Sequence, residues 1–127
     1  MDAKRRMGEA MGRLLTKKPL KCISVEELVR ESGVTRDAYD RTFASMTELA
    51  HYEFLHILAV HGRDILGSKS WSEALYKKFL MYKKYEGFFR HLYESDDNEH
   101  FRRTNRRFVR DAYTCLLYTS PSPRDTR

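Results

Sequence analysis

Apolar residues recur at helical spacing from the start of the chain. The first set falls at positions i, i+3, i+4, i+7 and i+8, namely Met7, Ala10, Met11, Leu14 and Leu15. This spacing predicts an amphipathic helix with a single buried stripe. The segment Lys17-Lys18-Pro19 follows, and it ends the predicted helix because proline cannot occupy a helix interior without losing a hydrogen bond.

A second helix is predicted to begin after Ser24. Ser24 is a favoured N-cap residue and Glu27 stands three positions later, the spacing of a capping box. An apolar stripe follows at Val25, Leu28 and Val29. Gly33 ends this helix, because a residue without Cβ adopts the left-handed conformation at little cost.

A third, short helix and a long fourth one follow the glycine. Thr35 is the predicted cap of the third helix, and Phe43 lies on its buried side. Ser45 and Glu48 have the spacing of another capping box. They begin a long helix that carries apolar or aromatic residues at Leu49, Tyr52, Leu55 and Leu58. The order is helix, loop, capped helix, glycine turn, capped helix and capped helix.

This order resembles the N-terminal domain of TetR-type transcriptional repressors over about residues 5–55, most clearly in the segments 23–29, 32–36 and 43–49. The resemblance implies an all-α protein with a three-helix helix-turn-helix DNA-binding domain over residues 1–50. It also implies a helical ligand and dimerisation domain, which we expect to be partial here, over residues 51–114. In that family the third helix enters the major groove of DNA.

The resemblance also indicates which residues contact DNA. The candidates are Ser24, Thr35, Arg36, Asp37, Ala38, Tyr39, Arg41, Thr42 and Thr47. Three positions depart from the family pattern: Asp40 and Thr42 replace a tyrosine and a histidine that touch phosphate, and Met46 replaces a lysine. An aspartate facing phosphate is repulsive, so we expect weaker DNA binding than in a typical member.

The implied function is that of a ligand-responsive repressor that binds a palindromic operator in double-stranded DNA as a homodimer. Its two half-sites are expected roughly 34–36 Å apart, one turn of the duplex. An unknown small-molecule effector is the expected regulator. The alternative is a helical protein-interaction module that uses the same three-helix scaffold without binding DNA, since a fold alone does not determine function.

Charge gives this prediction modest support. The chain has a net charge of +6, of which residues 1–50 contribute +2 from 10 basic and 8 acidic side chains. Electrostatic steering of DNA would therefore depend on local placement of basic residues. The candidates are Lys4, Arg5, Arg6, Lys17, Lys18 and Lys21, which are equally interpreted as ordinary solvated surface.

The second half is rich in aromatic residues, namely Trp71, Phe79, Tyr82, Tyr85, Phe88, Phe89 and Tyr93. They are interpreted as hydrophobic core and dimer interface in preference to the walls of a ligand pocket. A last helix is expected after the polar turn at residues 95–98, with Phe101, Phe108, Val109 and Ala112 on one face. Its other face carries Arg102, Arg103, Arg106, Arg107 and Arg110, interpreted as solvated surface or, less favoured, as an anion site.

Several classes of protein are not supported by the sequence. The five histidines form no metal-binding motif, and no phosphate-binding glycine loop or nucleophile motif is present, so we expect neither an enzyme nor a cofactor. No apolar run approaches the ~20 residues of a membrane span. With few cysteines and no signal-peptide core, a cytoplasmic protein is the expectation.

Residues 115–127 do not resemble a natural helix end. Residues 115–125 match the translation of the transposase mosaic end and adapter used in tagmentation libraries. We therefore expect a translated sequencing adapter, disordered and unrelated to the fold, with the natural gene running off the fragment near Thr114. A genuine disordered tail rich in serine and proline fits the composition equally well.

Overall fold

The protein is all-α, as predicted. A computed structural model describes residues 2–94 and 98–119, and this part of the chain contains no β-strand. Its elements are α1 (Ala3–Lys17), a 3-10 turn (Leu20–Cys22), α2 (Val25–Ser32), α3 (Arg36–Thr42), α4 (Met46–Leu66), α5 (Trp71–Lys84), α6 (Glu86–Tyr93) and α7 (Asn98–Thr119).

The first helix lies at the centre of the packing. Its predicted apolar stripe is buried throughout, at Met7, Ala10, Met11, Leu14 and Leu15. Asp2 caps its start by accepting a hydrogen bond from the backbone N–H of Arg5 at 2.7 Å. The helix packs against α2, α4 and α6, so one amphipathic stripe joins the N-terminal helices to the C-terminal ones.

The turn between α2 and α3 has the predicted chemistry. Ser24 and Glu27 form a reciprocal capping box at the start of α2. Gly33 ends that helix in the left-handed conformation, with φ of 74°, and its N–H donates to the carbonyl of Val29 at 2.9 Å. Val34 is buried just behind the glycine. The turn is therefore short, capped and held in the core.

The capping box predicted at Ser45 is only half correct. Ser45 accepts from the N–H of Glu48 at 3.1 Å, but the carboxylate of Glu48 accepts from the N–H of Ala44 at 3.2 Å. The helix that follows, α4, is continuous across residues 50 and 51. The predicted boundary between the two domains therefore falls within a helix.

Aromatic residues of α4, α6 and α7 form the core of the second half. The ring of Phe54 packs edge-on against Phe89 and Phe101, with centroids 5.9 Å and 5.7 Å away. Phe54, Phe88 and Phe101 are among the most deeply buried side chains of the described residues. Phe88 and Phe89 are interpreted as core from the sequence, and for these two rings the interpretation is confirmed.

The outer face of α5 departs from the expectation of a buried aromatic cluster. Its exposed apolar residues are Trp71, Leu75, Tyr76, Phe79 and Leu80. Only Ala74 and Met81 of this helix are fully buried, and they lie two turns apart. The side of α5 that carries Ala74 and Met81 packs against α4 and α6. The larger apolar residues lie on the opposite side of α5 and are exposed.

The last helix extends further than predicted. Residues 115–119, expected to be disordered, continue α7 as far as Thr119. Residues 120–127, and residues 95–97 of the predicted polar turn, lie outside the described residues. The five arginines of α7 are all exposed, which supports the solvated-surface interpretation, and Arg106 pairs with Glu99 at 2.8 Å.

The contact between α1 and α6 depends on the absence of a side chain at Gly87. A Cβ there would lie 2.6 Å from the backbone oxygen of Thr16. A helical glycine replaced by alanine usually gains up to about 1 kcal/mol. We expect Gly87→Ala instead to lower the free energy of unfolding by about 1–3 kcal/mol, because backbone cannot move aside cheaply.

Urea unfolding followed by circular dichroism measures this change. Glu86→Ala is the control, since it alters an exposed neighbour on the same turn and is expected to stay within about 0.5 kcal/mol of the unsubstituted protein. A stabilised Gly87→Ala variant would show that α1 and α6 are further apart than described.

Candidate nucleic-acid interface

The inner side of α3 is fixed in the core. Tyr39 and Phe43 are 5% and 4% exposed, and their ring centroids lie 6.4 Å apart. Phe43 in turn packs against Tyr52 of α4, with centroids 5.6 Å apart. Thr35 caps the helix by accepting from the N–H of Ala38 at 3.1 Å. The helix is thus anchored along one side and capped at its start.

The outer side of α3 is exposed. Thr35, Arg36, Asp37, Asp40 and Arg41 all lie on the surface. They include both arginines that a major-groove interaction would use and both aspartates that would oppose it. Ser24 is exposed at the start of α2, whereas Ala38, Thr42 and Thr47 are only partly exposed.

Besides Ser24 and Thr35, which cap helices while staying exposed, two predicted contact residues have other roles in the structure. Tyr39 belongs to the core, where burial raises the pKa of its hydroxyl, and its ring presents almost no surface. The hydroxyl of Thr42 donates to the carbonyl of Ala38 at 2.7 Å. Neither side chain is placed to carry the binding, so the exposed candidates of α3 are Thr35, Arg36, Asp37 and Arg41.

Each arginine of α3 is paired with an aspartate one turn away. Arg36 lies 3.4 Å from Asp40, and Arg41 lies 3.1 Å from Asp37. Arg36 also lies 3.8 Å from Glu26 of α2. With two arginines and two aspartates the helix is formally neutral. Exposed pairs of this kind contribute only about 0.3–0.5 kcal/mol, so a phosphate or a base edge can displace them.

The predicted steering residues divide into three groups. Lys18 pairs with Glu27 and Arg5 pairs with Glu53, so the charges of both are already compensated. Lys4 lies over the rings of Tyr52 and Phe43, at 5.0 Å and 5.9 Å, which places it beside the C-terminal end of α3. The other three, Arg6, Lys17 and Lys21, are exposed.

A partly buried ion pair joins α1 to α4. The guanidinium of Arg5 donates to the carboxylate of Glu53, and the two side chains are 17% and 9% exposed. Burial raises the pKa of Glu53 to about 7, although the positive charge of Arg5 acts in the opposite direction. A Cβ on Gly8 would lie 2.9 Å from the Glu53 carboxylate, and one on Gly12 would lie 3.1 Å from it.

Sequence reasoning missed this pair, although a signal for it was present. The glycines at 8 and 12 lie one turn apart on the predicted first helix, and such spacing permits close approach of a neighbouring helix. From the sequence, Arg5 is interpreted either as a steering residue or as solvated surface, and neither interpretation gives it a buried partner. Only the packing of α4 shows that a carboxylate reaches it.

The three histidines of α4 lie in separate environments. His51 packs against Phe101, His61 is within hydrogen-bonding distance of the Tyr85 hydroxyl at 2.9 Å, and His56 borders a cleft beside Arg5. Burial lowers the pKa of both His56 and His61. Among the described residues no three metal-ligating side chains come together. Within the same residues, no helix is both long and apolar enough to cross a membrane.

Comparison with known proteins identified no relative. A scan against protein-family models, a search of curated proteins and a search of solved structures each found no match to the chain. The functional argument therefore depends on the residues of the site themselves.

The raised pKa of Glu53 makes stability depend on pH. Between pH 4.5, the ordinary pKa, and about 7, the folded state holds a proton on Glu53 that the unfolded state has lost. This stabilisation is complete below pH 4.5 and is lost as the pH rises through 7. We expect the free energy of unfolding, relative to that of Glu53→Gln, to fall across this interval.

Urea unfolding of both proteins at several pH values tests this expectation, and the difference between them cancels the opposite contributions of His56 and His61. Glu94→Gln, an exposed substitution at the end of α6, is the control and should show no such trend. A difference between Glu53→Gln and the unsubstituted protein that is independent of pH would contradict the burial of Glu53.

Asp40 places a negative charge on the outer side of α3. Asp40→Asn removes this charge and releases Arg36 from its pair. We expect affinity for duplex DNA to rise about fivefold, since unit charges about 4 Å apart in water interact by about 1 kcal/mol. Fluorescence anisotropy with a labelled random-sequence duplex at low salt measures the effect.

Glu86→Gln is the matched control for the change in net charge, because Glu86 is an exposed acid on α6 that is also paired with an arginine one turn away. Equal affinities of Asp40→Asn and Glu86→Gln would show that position 40 does not face the duplex.

Proposed function

We propose that this protein is a TetR-like transcriptional regulator that binds duplex DNA by inserting α3 into the major groove. The observation that carries the proposal is the placement of α3. It is a seven-residue helix entered through a left-handed glycine, with its inner side in the core and its outer side exposed.

The dimensions of this helix suit the proposal. With its side chains an α-helix is about 10–12 Å across, and the major groove is about 12 Å wide. The fixed inner side matters equally. A helix held by Tyr39 and Phe43 keeps its orientation while its outer side chains contact base edges, so little ordering is needed on binding.

Arg36 and Arg41 are the side chains to which we assign the main contacts. Arginine donates two parallel hydrogen bonds to guanine and also binds phosphate. Here each arginine must first leave an aspartate, and Asp37 and Asp40 stay close to the DNA surface. The free energy gained by exchanging these ion pairs for contacts with DNA is therefore small. We expect a moderate affinity for DNA that depends markedly on salt.

The remaining parts of the proposal follow from the resemblance to the repressor family. They are assembly as a homodimer on a palindromic operator, half-sites roughly 34–36 Å apart, release by a small-molecule effector, and a cytoplasmic location. The continuous helix α4 supports such coupling, because it links the α3 side of the molecule to the aromatic core of the second half.

The alternative is a helical protein-interaction module. Two observations favour it: the outer side of α3 is neutral as a whole, and α5 presents a stripe of exposed apolar residues. Exposed apolar patches rimmed by polar residues often mark sites of protein contact.

A mobility-shift titration with DNA from upstream of the gene separates the two functions. The regulator predicts binding that weakens steeply with salt. It also predicts that Arg36→Ala lowers affinity and reduces the salt slope by about 1 if the contact is to phosphate. Arg90→Ala is the control, since Arg90 is similarly exposed and also pairs with an acid one turn away.

The interaction module is favoured if no mobility shift occurs at low salt, or if Arg36→Ala and Arg90→Ala lower the affinity for DNA equally.

A further inference from the structure

Five of the eight large apolar side chains that are exposed in the described residues belong to α5. We call this set the α5 stripe, and its members are Trp71, Leu75, Tyr76, Phe79 and Leu80. Tyr76 and Phe79 are 62% and 61% exposed, so neither ring is covered by a neighbouring helix. Contiguous exposed apolar surface of this kind marks a site of contact with a protein or with a membrane.

The α5 stripe is a ridge and not a groove. Its residues stand on a single helix, on the side away from α4 and α6. Two clefts of about 420 and 400 Å³ are lined by residues outside the stripe. A convex apolar helix of this kind buries its side chains either in the groove of a partner or in the interfacial layer of a bilayer, which adapts to its shape.

The surroundings of the α5 stripe are basic. The helix carries four lysines and one glutamate, a net charge of +3. The carboxylates of Asp64 and Glu73 both pair with Lys77, at 3.0 Å and 3.3 Å. Three further lysines are exposed and form no ion pair within the described part of the chain, namely Lys69, Lys83 and Lys84. The partner that suits this charge is an anionic one.

One of these lysines, Lys83, lies within the stripe itself. Its Nζ atom is 6.0 Å from the ring centroid of Phe79. A lysine in this position places its alkyl chain along the apolar surface and extends its charged end toward a phosphate. Tryptophan, tyrosine and phenylalanine on the apolar side, with lysine beside them, form the composition of helices that lie at a lipid–water interface.

Charge also weighs against the other occupant that a convex apolar helix commonly finds, a second copy of the same chain. Two α5 helices in contact would bring together two net charges of +3 and remove both Lys83 side chains from water. Like charges that meet across an interface oppose association. An anionic lipid surface has the opposite charge and needs no groove.

We propose that α5 docks on an anionic lipid surface, with the α5 stripe in the interfacial layer and its lysines at lipid phosphates. At 14 residues the helix is shorter than the ~20 residues of a membrane span, so it lies along the surface and does not cross it. The predicted DNA contacts lie between Ser24 and Thr47, and none belongs to α5. Lipid docking is therefore a separate activity from the proposed regulation.

Trp71 makes the docking directly measurable. It is the single tryptophan of the chain, it stands at the start of the stripe, and it is 39% exposed. We expect its fluorescence to shift to shorter wavelength when the whole chain is mixed with vesicles of equimolar phosphatidylserine and phosphatidylcholine. Vesicles of phosphatidylcholine alone should bind at least about tenfold more weakly by co-sedimentation, because each lysine near an anionic surface contributes about fivefold in affinity.

A matched pair of leucines locates the site. Leu80 in the stripe is 44% exposed, and Leu55, in the groove between α4 and α7, is 43% exposed. We expect Leu80→Gln to weaken binding to the anionic vesicles about fivefold, because an apolar side chain is lost from the inserted face, and Leu55→Gln to leave it unchanged. Glutamine favours helix, and circular dichroism establishes that each variant is folded.

A matched pair of lysines tests the charge. Lys83→Gln should lower the affinity for the anionic vesicles about fivefold. Lys21→Gln makes the same change at an exposed lysine in the turn before α2, and it should have no effect.

The proposal is overturned if the anionic vesicles do not bind, or if both kinds of vesicle bind equally. Equal effects of Leu80→Gln and Leu55→Gln would place the contact elsewhere and refute it too. A shift of Trp71 fluorescence without lipid, growing with protein concentration and lost in Leu80→Gln, would assign the stripe to a second copy instead. Poly-glutamate that binds as tightly as the anionic vesicles would assign it to an acidic polypeptide. No DNA is used in these measurements, so their outcome is independent of the proposed regulatory function.

Discussion

The burial of one amphipathic stripe, that of α1, is the interaction on which the rest of the molecule depends. Met7, Met11 and Leu15 are fully removed from water, and the same helix contacts α2, α4 and α6. Two close approaches make this possible: Gly8 and Gly12 admit Glu53, and Gly87 lies against the backbone of Thr16. Without α1, α2 would lose its main packing surface, and α3 is too short to be stable alone.

The exposure of α3 is a consequence of this packing. Its inner side contributes Tyr39 to the core, and Phe43 follows immediately as its C-cap, so both anchors come from one side of two helical turns. The remaining positions of a helix that short must then face water. The same geometry brings each arginine of α3 within reach of an aspartate four residues away, which is why the outer side of α3 is neutral as a whole.

Local signals predicted the first half of the fold well. The cap at Ser24, the left-handed Gly33, the cap at Thr35 and the stripe of α1 each depend on residues a few positions apart, and each is found in the structure.

Predictions failed where distant segments decide the outcome. Tyr39 looked like a contact residue because only tertiary packing shows which side of a short helix faces inward. The sequence likewise left Arg5 as either a steering residue or solvated surface, because its partner Glu53 is 48 positions away. The prediction that the aromatic residues of α5 are buried failed for the same reason. Periodicity shows that α5 has two apolar faces, but not which of them packs against another helix.

The position of the Arg5–Glu53 pair links the two parts of the molecule. Removing two charges from water costs more than a surface pair returns, so such a pair is weak evidence for stability and better evidence for a constraint on geometry. Here it holds α1 at a defined place on α4, one turn from the cleft residue His56. Since α2 and α3 pack on α1, this pair also fixes where α3 lies relative to α4.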